Sequence, residues 1–211
     1  MHPVVCMITD RRRCGAGWER ALVALVGAAA RAGVHLVQLR ERDLDGAAMT
    51  CLARACVAAV HGTGTRVLVN DRFDVALASG AHGVHLRGDS MPASRVRAAA
   101  GRPFLIGRSV HDLDDAIREG AGGSLDYLVF GTVFDSESKP GRPPSGLGRL
   151  AAVASASRVP VLAVGGLTVG RFAEVVEAGA AGGAAISLFA DAEPGLFPAL
   201  MQHLVRPDRS S

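Results

Sequence analysis

What most constrains this chain is a repeat in its patterning. Short aliphatic runs alternate with segments of 3.6-residue periodicity from one end to the other. Eight runs read as strands: Val4 to Thr9, Val34 to Arg40, Arg66 to Asn70, Gly83 to Leu86, Phe104 to Ser109, Tyr127 to Phe130, Val159 to Gly166 and Gly183 to Ser187. Between them, Trp18, Ala21, Leu22, Leu25, Val26 and Ala29 fall on one helical face that Gly33 stops. Asp43 to His61 reads as helix, as does a short segment ending at Ser79. Leu113, Ala116 and Ile117 mark another helix, a further one opens near Leu147, and Thr168 is a good N-cap. The last helix carries Leu196, Phe197, Leu200, Met201 and Leu204 on its face.

Eight strands each followed by a helix give an α/β fold, expected as a small (β/α)8 TIM barrel in a single domain over residues 1–205. Residues 206–211 are expected to be a frayed tail. The alternative is an open doubly wound sheet. The barrel is favoured by the placement of polar residues: Asp10, Gln38, Arg40, Asn70, Asp71, Ser109, Gly165, Gly166 and Ser187 all stand at strand C-terminal ends or just past them. Barrel enzymes carry their chemistry on that face.

Composition excludes several classes. The chain is 49% hydrophobic but only 4% aromatic, so the core is aliphatic, and the formal net charge is a mild +3. No cluster of Lys and Arg interleaved with aromatics argues for nucleic acid, and no apolar run is long enough to span a membrane. Cys6, Cys14, Cys51 and Cys56 have no metal-ligand spacing and no secretory signal precedes them, which reads as reduced thiols in a cytoplasmic protein.

Two constellations carry chemistry. After the sixth strand comes a long segment of Ser, Gly, Pro and charge holding Lys139, the only lysine in the chain against 22 arginines. A loop of that length in a compact domain is commonly a functional lid, and a lone ammonium serves phosphate as a mobile point charge. Alternation along the second strand puts Gln38 and Arg40 on one face. With Arg42, Asn70 and Lys139 they can converge on one anion, and Asp71 beside them could hold Mg²⁺ or simply pair with an arginine. The second constellation is Gly165-Gly166 with Ile186-Ser187, a backbone cup suited to phosphate. His85, His82 and His61 lack mutual spacing and read as structural or surface groups, while His111 is ambiguous.

Met7-Ile-Thr-Asp10, Val37-Gln-Leu-Arg-Glu41, Val69-Asn-Asp-Arg72, Gly83-Val-His-Leu86, Ile106-Gly-Arg-Ser-Val-His111, Ser136-Glu-Ser-Lys139, Ala163-Val-Gly-Gly166 and Ile186-Ser187 follow one another in an order that resembles the thiamine-phosphate synthase and TenI-like thiazole tautomerase superfamily. That resemblance covers nearly the whole chain and implies the barrel fold. It also implies small phosphorylated substrates, neither nucleic acid nor membrane as partner, and a homodimer as the one assembly considered. Gln38, Arg40, Arg42, Asn70, Ser109 and Lys139 would contact hydroxymethylpyrimidine pyrophosphate, with Arg40, Ser109 and Lys139 catalytic. Ser136, Ser138, Gly165, Gly166, Ile186 and Ser187 would hold thiazole phosphate, and Asp71 with Asp89 would bind Mg²⁺. In such a synthase pyrophosphate leaves first, and the thiazole nitrogen captures the resulting pyrimidine-methyl cation.

The chain also departs from the synthase pattern. Where synthases supply a second metal aspartate after the fourth strand, Ser90 stands, with Asp89 one residue early, and the usual lysine after Arg-Glu is Arg42. The metal-independent tautomerase branch shares the Gly107 to His111 wording, yet its catalytic histidine would fall on Thr132. A synthase, a tautomerase and a non-catalytic phosphate-binding regulator therefore all stand as readings of the sequence.

Overall fold

The structure, a computed structural model, describes residues 2–136, 141 and 143–205. Ser138, Lys139 and the tail 206–211 lie outside the described residues. Eight parallel strands close into a barrel in sequence order: β1 (Val4–Ile8), β2 (Leu36–Leu39), β3 (Arg66–Asn70), β4 (Gly83–Leu86), β5 (Leu105–Val110), β6 (Tyr127–Gly131), β7 (Val161–Val164) and β8 (Gly182–Ala185), the last pairing back onto β1. This is the expected barrel, and the open sheet is excluded by that final pairing.

The helices form the outer layer: α1 (Trp18–Arg31), α2 (Gly46–Ala59), α3 (Phe73–Ser79), α4 (Ala93–Ala100), α5 (Leu113–Ala121), α6 (Gly146–Ala156), α7 (Val169–Glu177), the single turn α8 (Ser187–Ala190) and α9 (Phe197–Val205). Their starts follow from capping chemistry. Asp45, Asp112 and Thr168 accept from the backbone N–H of Ala48, Asp115 and Arg171 respectively, each satisfying an otherwise orphaned donor. Thr168 was the expected cap. Leu196 departs from expectation: it lies in a short 3₁₀ turn, Pro194–Leu196, and is largely exposed, while α9 buries Phe197, Met201 and Leu204. The helical period starts one residue later than the apolar run suggests, because Pro194 opens a separate tight turn.

Strand alternation divides the core in two. Val5, Met7, Val37, Leu39, Val67, Val69, Val84, Leu86, Leu128 and Phe130 face outward and pack under the helices in one large apolar layer. Cys6, Ile8, Leu68, Tyr127, Val129, Leu162 and Ala184 fill the barrel interior. Burial on both faces explains why the strands are aliphatic without a polar alternation. Above the apolar filling, the same inward positions turn polar: Gln38 on β2, Asn70 on β3, His85 on β4 and Ser109 on β5. Register places Asn70 opposite His85 and Ser109 opposite Val129, so these side chains form the floor of the C-terminal face.

Candidate active site

The floor is a set of hydrogen bonds across neighbouring strands. Gln38 Nε2 donates to Asn70 Oδ1 at 2.9 Å, confirming that Gln38 points inward with Arg40 as alternation requires. His85 is fully enclosed, with Nδ1 3.0 Å from the Tyr127 hydroxyl and Nε2 2.9 Å from Ser109 Oγ. Tyr127 reaches His85 from two strands away only because Gly107 lies between them. A Cβ on Gly107 would sit 2.1 Å from the Tyr127 ring. Burial, reinforced by nearby Arg108, pushes His85 down to about 4, so the ring is neutral at physiological pH. Tyr127, raised well above its ordinary value by burial, keeps its proton. His85, read from sequence as structural, is therefore also the group that holds Ser109.

Above the floor lies a cavity of about 820 Å³. It is lined on one side by Arg40, Arg42, Arg12 and Arg13, and on the other by Ser136, Gly165, Gly166, Ile186 and Ser187. The barrel thus brings Arg40 and Arg42 of the first constellation to one cavity with Ser136, Gly165, Gly166, Ile186 and Ser187 of the second. Asn70 and Asp71 line a smaller adjoining cavity of about 170 Å³ that shares Glu41 and Arg42 with the larger one.

The cationic side is positioned by a residue the sequence reading passed over. Glu41, buried at the end of β2, accepts from Thr9 Oγ1 at 2.5 Å and from the Arg11 backbone N–H at 3.0 Å. The Thr9 hydroxyl in turn accepts from the Arg40 backbone N–H at 3.0 Å. Glu41 thereby ties the loops after β1 and β2 together and fixes the backbone from which Arg40 projects. Among the described residues no carboxylate pairs with Arg40 or Arg42. The half-buried Arg40 guanidinium has its pKa lowered by burial and by neighbouring Arg42, so the charged group is held at a cost until an anion arrives. The other cations have partners: Arg12 binds Asp10, holding that carboxyl below its usual range, and Arg13 pairs with Asp191.

The opposite side is built from backbone. Gly165 and Gly166 have φ of 102° and 62°, and a Cβ on Gly166 would meet the Asp135 carbonyl at 2.2 Å. Only glycine satisfies both the left-handed conformation and that approach. Arg171, on the first turn of α7, donates to the Gly166 carbonyl at 2.9 Å and lies over the Phe134 ring at 4.7 Å, holding the turn from outside. Sequence spacing gave no hint of this, since the contact depends on how α7 leaves its cap. The position where a tautomerase would carry its histidine is Thr132, which is buried with its methyl against Gly165.

Asp71 stands at the rim with φ 63°, the one non-glycine residue in the left-handed region among the described residues. Aspartate tolerates that conformation better than most residues, and such strain concentrates at functional positions. Its Oδ1 accepts from the Ser90 hydroxyl, and its Oδ2 lies 3.5 Å from Arg87 Nη1. Asp89 does not join it: that carboxylate is 70% exposed and held by Arg87 Nη2 at 2.5 Å. Among the described residues no three His, Cys, Asp or Glu side chains converge. The oxygens of Asp71 and Ser90 still fit Mg²⁺, which uses one or two carboxylates and takes its remaining oxygens from water and substrate phosphate.

Comparison with known proteins agrees with this geometry. Residues 5–189 match the family model described as thiamine monophosphate synthase. Thiamine-phosphate synthase of Roseiflexus castenholzii is 42% identical over 185 residues, covering 87% of this chain and 79% of that protein. The enzyme of the same name from Roseiflexus sp. strain RS-1 is likewise 42% identical, covering 87% and 77%. The structure of thiamine phosphate pyrophosphorylase from Pyrococcus furiosus superposes with a TM-score of 0.82 at 28% identity, covering 95% of each chain.

Proposed function

This chain belongs to the thiamine monophosphate synthase family, and on that premise we propose that it joins hydroxymethylpyrimidine pyrophosphate to thiazole phosphate, releasing pyrophosphate and forming thiamine phosphate. The observation that carries the reading is the shared cavity, with Arg40 and Arg42, to which no carboxylate pairs among the described residues, on one side and a backbone cup on the other. Two anionic substrates fit such a division, one leaving as pyrophosphate and one keeping its phosphate. As a soluble biosynthetic enzyme it would work in the cytoplasm.

Arg40 and Arg42 bind the departing pyrophosphate. Charge that develops on it meets guanidinium groups already in place, which is where fixed electrostatics lower a barrier most. Lys139, from the long loop, adds a mobile charge to the same anion. Gln38 and Ser109 orient the pyrimidine from the floor. With Tyr127 donating to His85 Nδ1, His85 Nε2–H donates to Ser109 Oγ, and the serine proton is left for a ring nitrogen. Asp71 and Ser90 would hold Mg²⁺, which when bound neutralises pyrophosphate oxygens. Ser136, Ser138, Gly165, Gly166, Ile186 and Ser187 hold the thiazole phosphate, so its nitrogen faces the pyrimidine methylene at near-attack distance. That cation is captured as pyrophosphate departs, and no protein base is needed to form the new C–N bond. The buried threonine at position 132 supports the synthase over the tautomerase, because its hydroxyl is a far poorer general acid or base near neutral pH than an imidazole in the same place.

The test is direct. Purified protein with both substrates and Mg²⁺ should yield thiamine phosphate, read as fluorescent thiochrome after oxidation, with turnover abolished by EDTA and reduced at least a hundredfold by Lys139→Ala. No product beside an active control enzyme would refute the synthase. Aromatisation of the thiazole tautomer in the same preparation would then establish the tautomerase, and binding without turnover the regulator.

A further inference from the structure

The loop after β4, residues 87–91, is pinned from beneath. Arg108, on the outer face of β5 and only 3% exposed, donates from Nη1 to the carbonyls of Arg87 (3.2 Å) and Gly88 (3.1 Å), and from Nη2 to that of Met91. Its Nε faces Glu119 at 3.3 Å, an ion pair that leaves the charge compensated. From above, the Arg87 backbone N–H donates to Ser90 Oγ at 2.8 Å while the same hydroxyl donates to Asp71. Four backbone groups of the loop are therefore held, and its course decides which charged side chain meets Asp71. Beside the Ser90 hydroxyl, that charged side chain is Arg87. One guanidinium touches both carboxylates, with Nη1 3.5 Å from Asp71 and Nη2 2.5 Å from Asp89.

A second aspartate at this place would raise the negative charge around Asp71 and draw a divalent cation. Here the reverse has happened: a positive group sits against the one carboxylate suited to metal, and the nearby carboxylate is tied to that same group. The geometry points to Arg87 as a resident counter-ion that competes with divalent metal for Asp71. In the ligand-free protein the metal position is held by the guanidinium, and a cation gains Asp71 only when Arg87 leaves it. A polyanion supplies the occasion, since a pyrophosphate at the mouth of the smaller cavity, which Arg87 lines beside Asn70, offers the guanidinium a stronger acceptor. Metal and pyrophosphate then enter together. This rests on the reading that Asp71 faces a pyrophosphate, but its first consequence concerns the free protein alone.

Mn²⁺ is the probe, titrated into substrate-free protein and followed by loss of its free EPR signal. Wild type should bind at Asp71 at least tenfold more weakly than Arg87→Gln. In the Arg87→Gln background, Asp71→Asn should abolish the gain and Asp89→Asn should leave it intact. Adding inorganic pyrophosphate should narrow the gap between wild type and Arg87→Gln to less than threefold. Equal Mn²⁺ affinity in wild type and Arg87→Gln, with unchanged circular dichroism, overturns the proposal. So does loss of the gain on Asp89→Asn, which would make Asp89 a ligand. None of these readouts needs turnover, so a failed synthase assay and a failed competition are separate results.

Discussion

The two sides of the cavity recognise anions by different means. The Gly165-Gly166 side is backbone held by packing: positive φ, a carbonyl 2.2 Å from any added Cβ, and an arginine bracing the turn from outside. The Arg40-Arg42 side is charge held on side chains, placed by Glu41 but with no carboxylate paired to Arg40 or Arg42 among the described residues. The first side is part of the fold's stability, and the second stands against it. Substitution should therefore separate them cleanly, with losses of structure on one side and losses of binding with gained stability on the other.

The sharpest break comes at Gly166. Gly166→Val combines left-handed strain of about 1–2 kcal/mol with a backbone clash of larger effect. It should lower the melting temperature by several degrees in a thermal scan and eliminate thiazole-phosphate binding. Arg40→Gln should do the opposite to stability. Losing two charge-assisted hydrogen bonds of about 1.5–3 kcal/mol each should reduce kcat/KM by roughly two to four orders of magnitude. Its melting temperature should stay level or rise, because a half-buried cation with no carboxylate partner among the described residues has been removed. A fall in melting temperature would show that Arg40 is structurally paired.

The floor joins the two sides, and its pH dependence has a defined sign. His85 titrates near 4 in the folded protein against an ordinary 6.5, so the unfolded chain binds the proton more readily. Stability from a neutral His85 is complete above pH 6.5 and is lost as pH falls toward 4, by roughly 3 kcal/mol from that difference. His85→Gln should flatten this part of the stability profile, measured by urea unfolding at pH 7 and pH 4.5. An unchanged slope would place the acid sensitivity elsewhere. The smallest effect is at the cap of α7, where Thr168→Ala should cost about 1 kcal/mol of stability in the same unfolding experiment.

How much of this was legible in the sequence depends on range. The eight strands, the Thr168 cap and the shared inward face of Gln38 and Arg40 follow from local periodicity and capping, and the structure has them within a residue or two. At Gly165-Gly166 two glycines alone read most simply as a turn, and only the neighbouring Ile186-Ser187 strand end suggested a cup; the positive φ and the close approach to Asp135 belong to the structure. The Glu41 clamp was not, since it needs Thr9 and Glu41 side by side across the β1–β2 pairing. Nor was the Tyr127–His85–Ser109 chain, which requires a glycine at position 107 for the ring to pass over. Parity along β4 could have placed His85 inward opposite Val84 and Leu86, but not its partners on β5 and β6. At Asp71 the sequence offered Asp89 as a second ligand by proximity to the expected column. The fold instead presents Arg87, because Arg108 dictates the course of that loop.

The most direct test is a calorimetric cross: titrate thiazole phosphate and inorganic pyrophosphate separately into wild type, Arg40→Gln and Gly166→Ala. Two independent anion sites predict that Arg40→Gln loses pyrophosphate affinity at least tenfold and keeps thiazole-phosphate affinity within twofold, while Gly166→Ala does the reverse. Parallel loss of both ligands in both folded variants would contradict the division of the cavity into a cationic side and a backbone side.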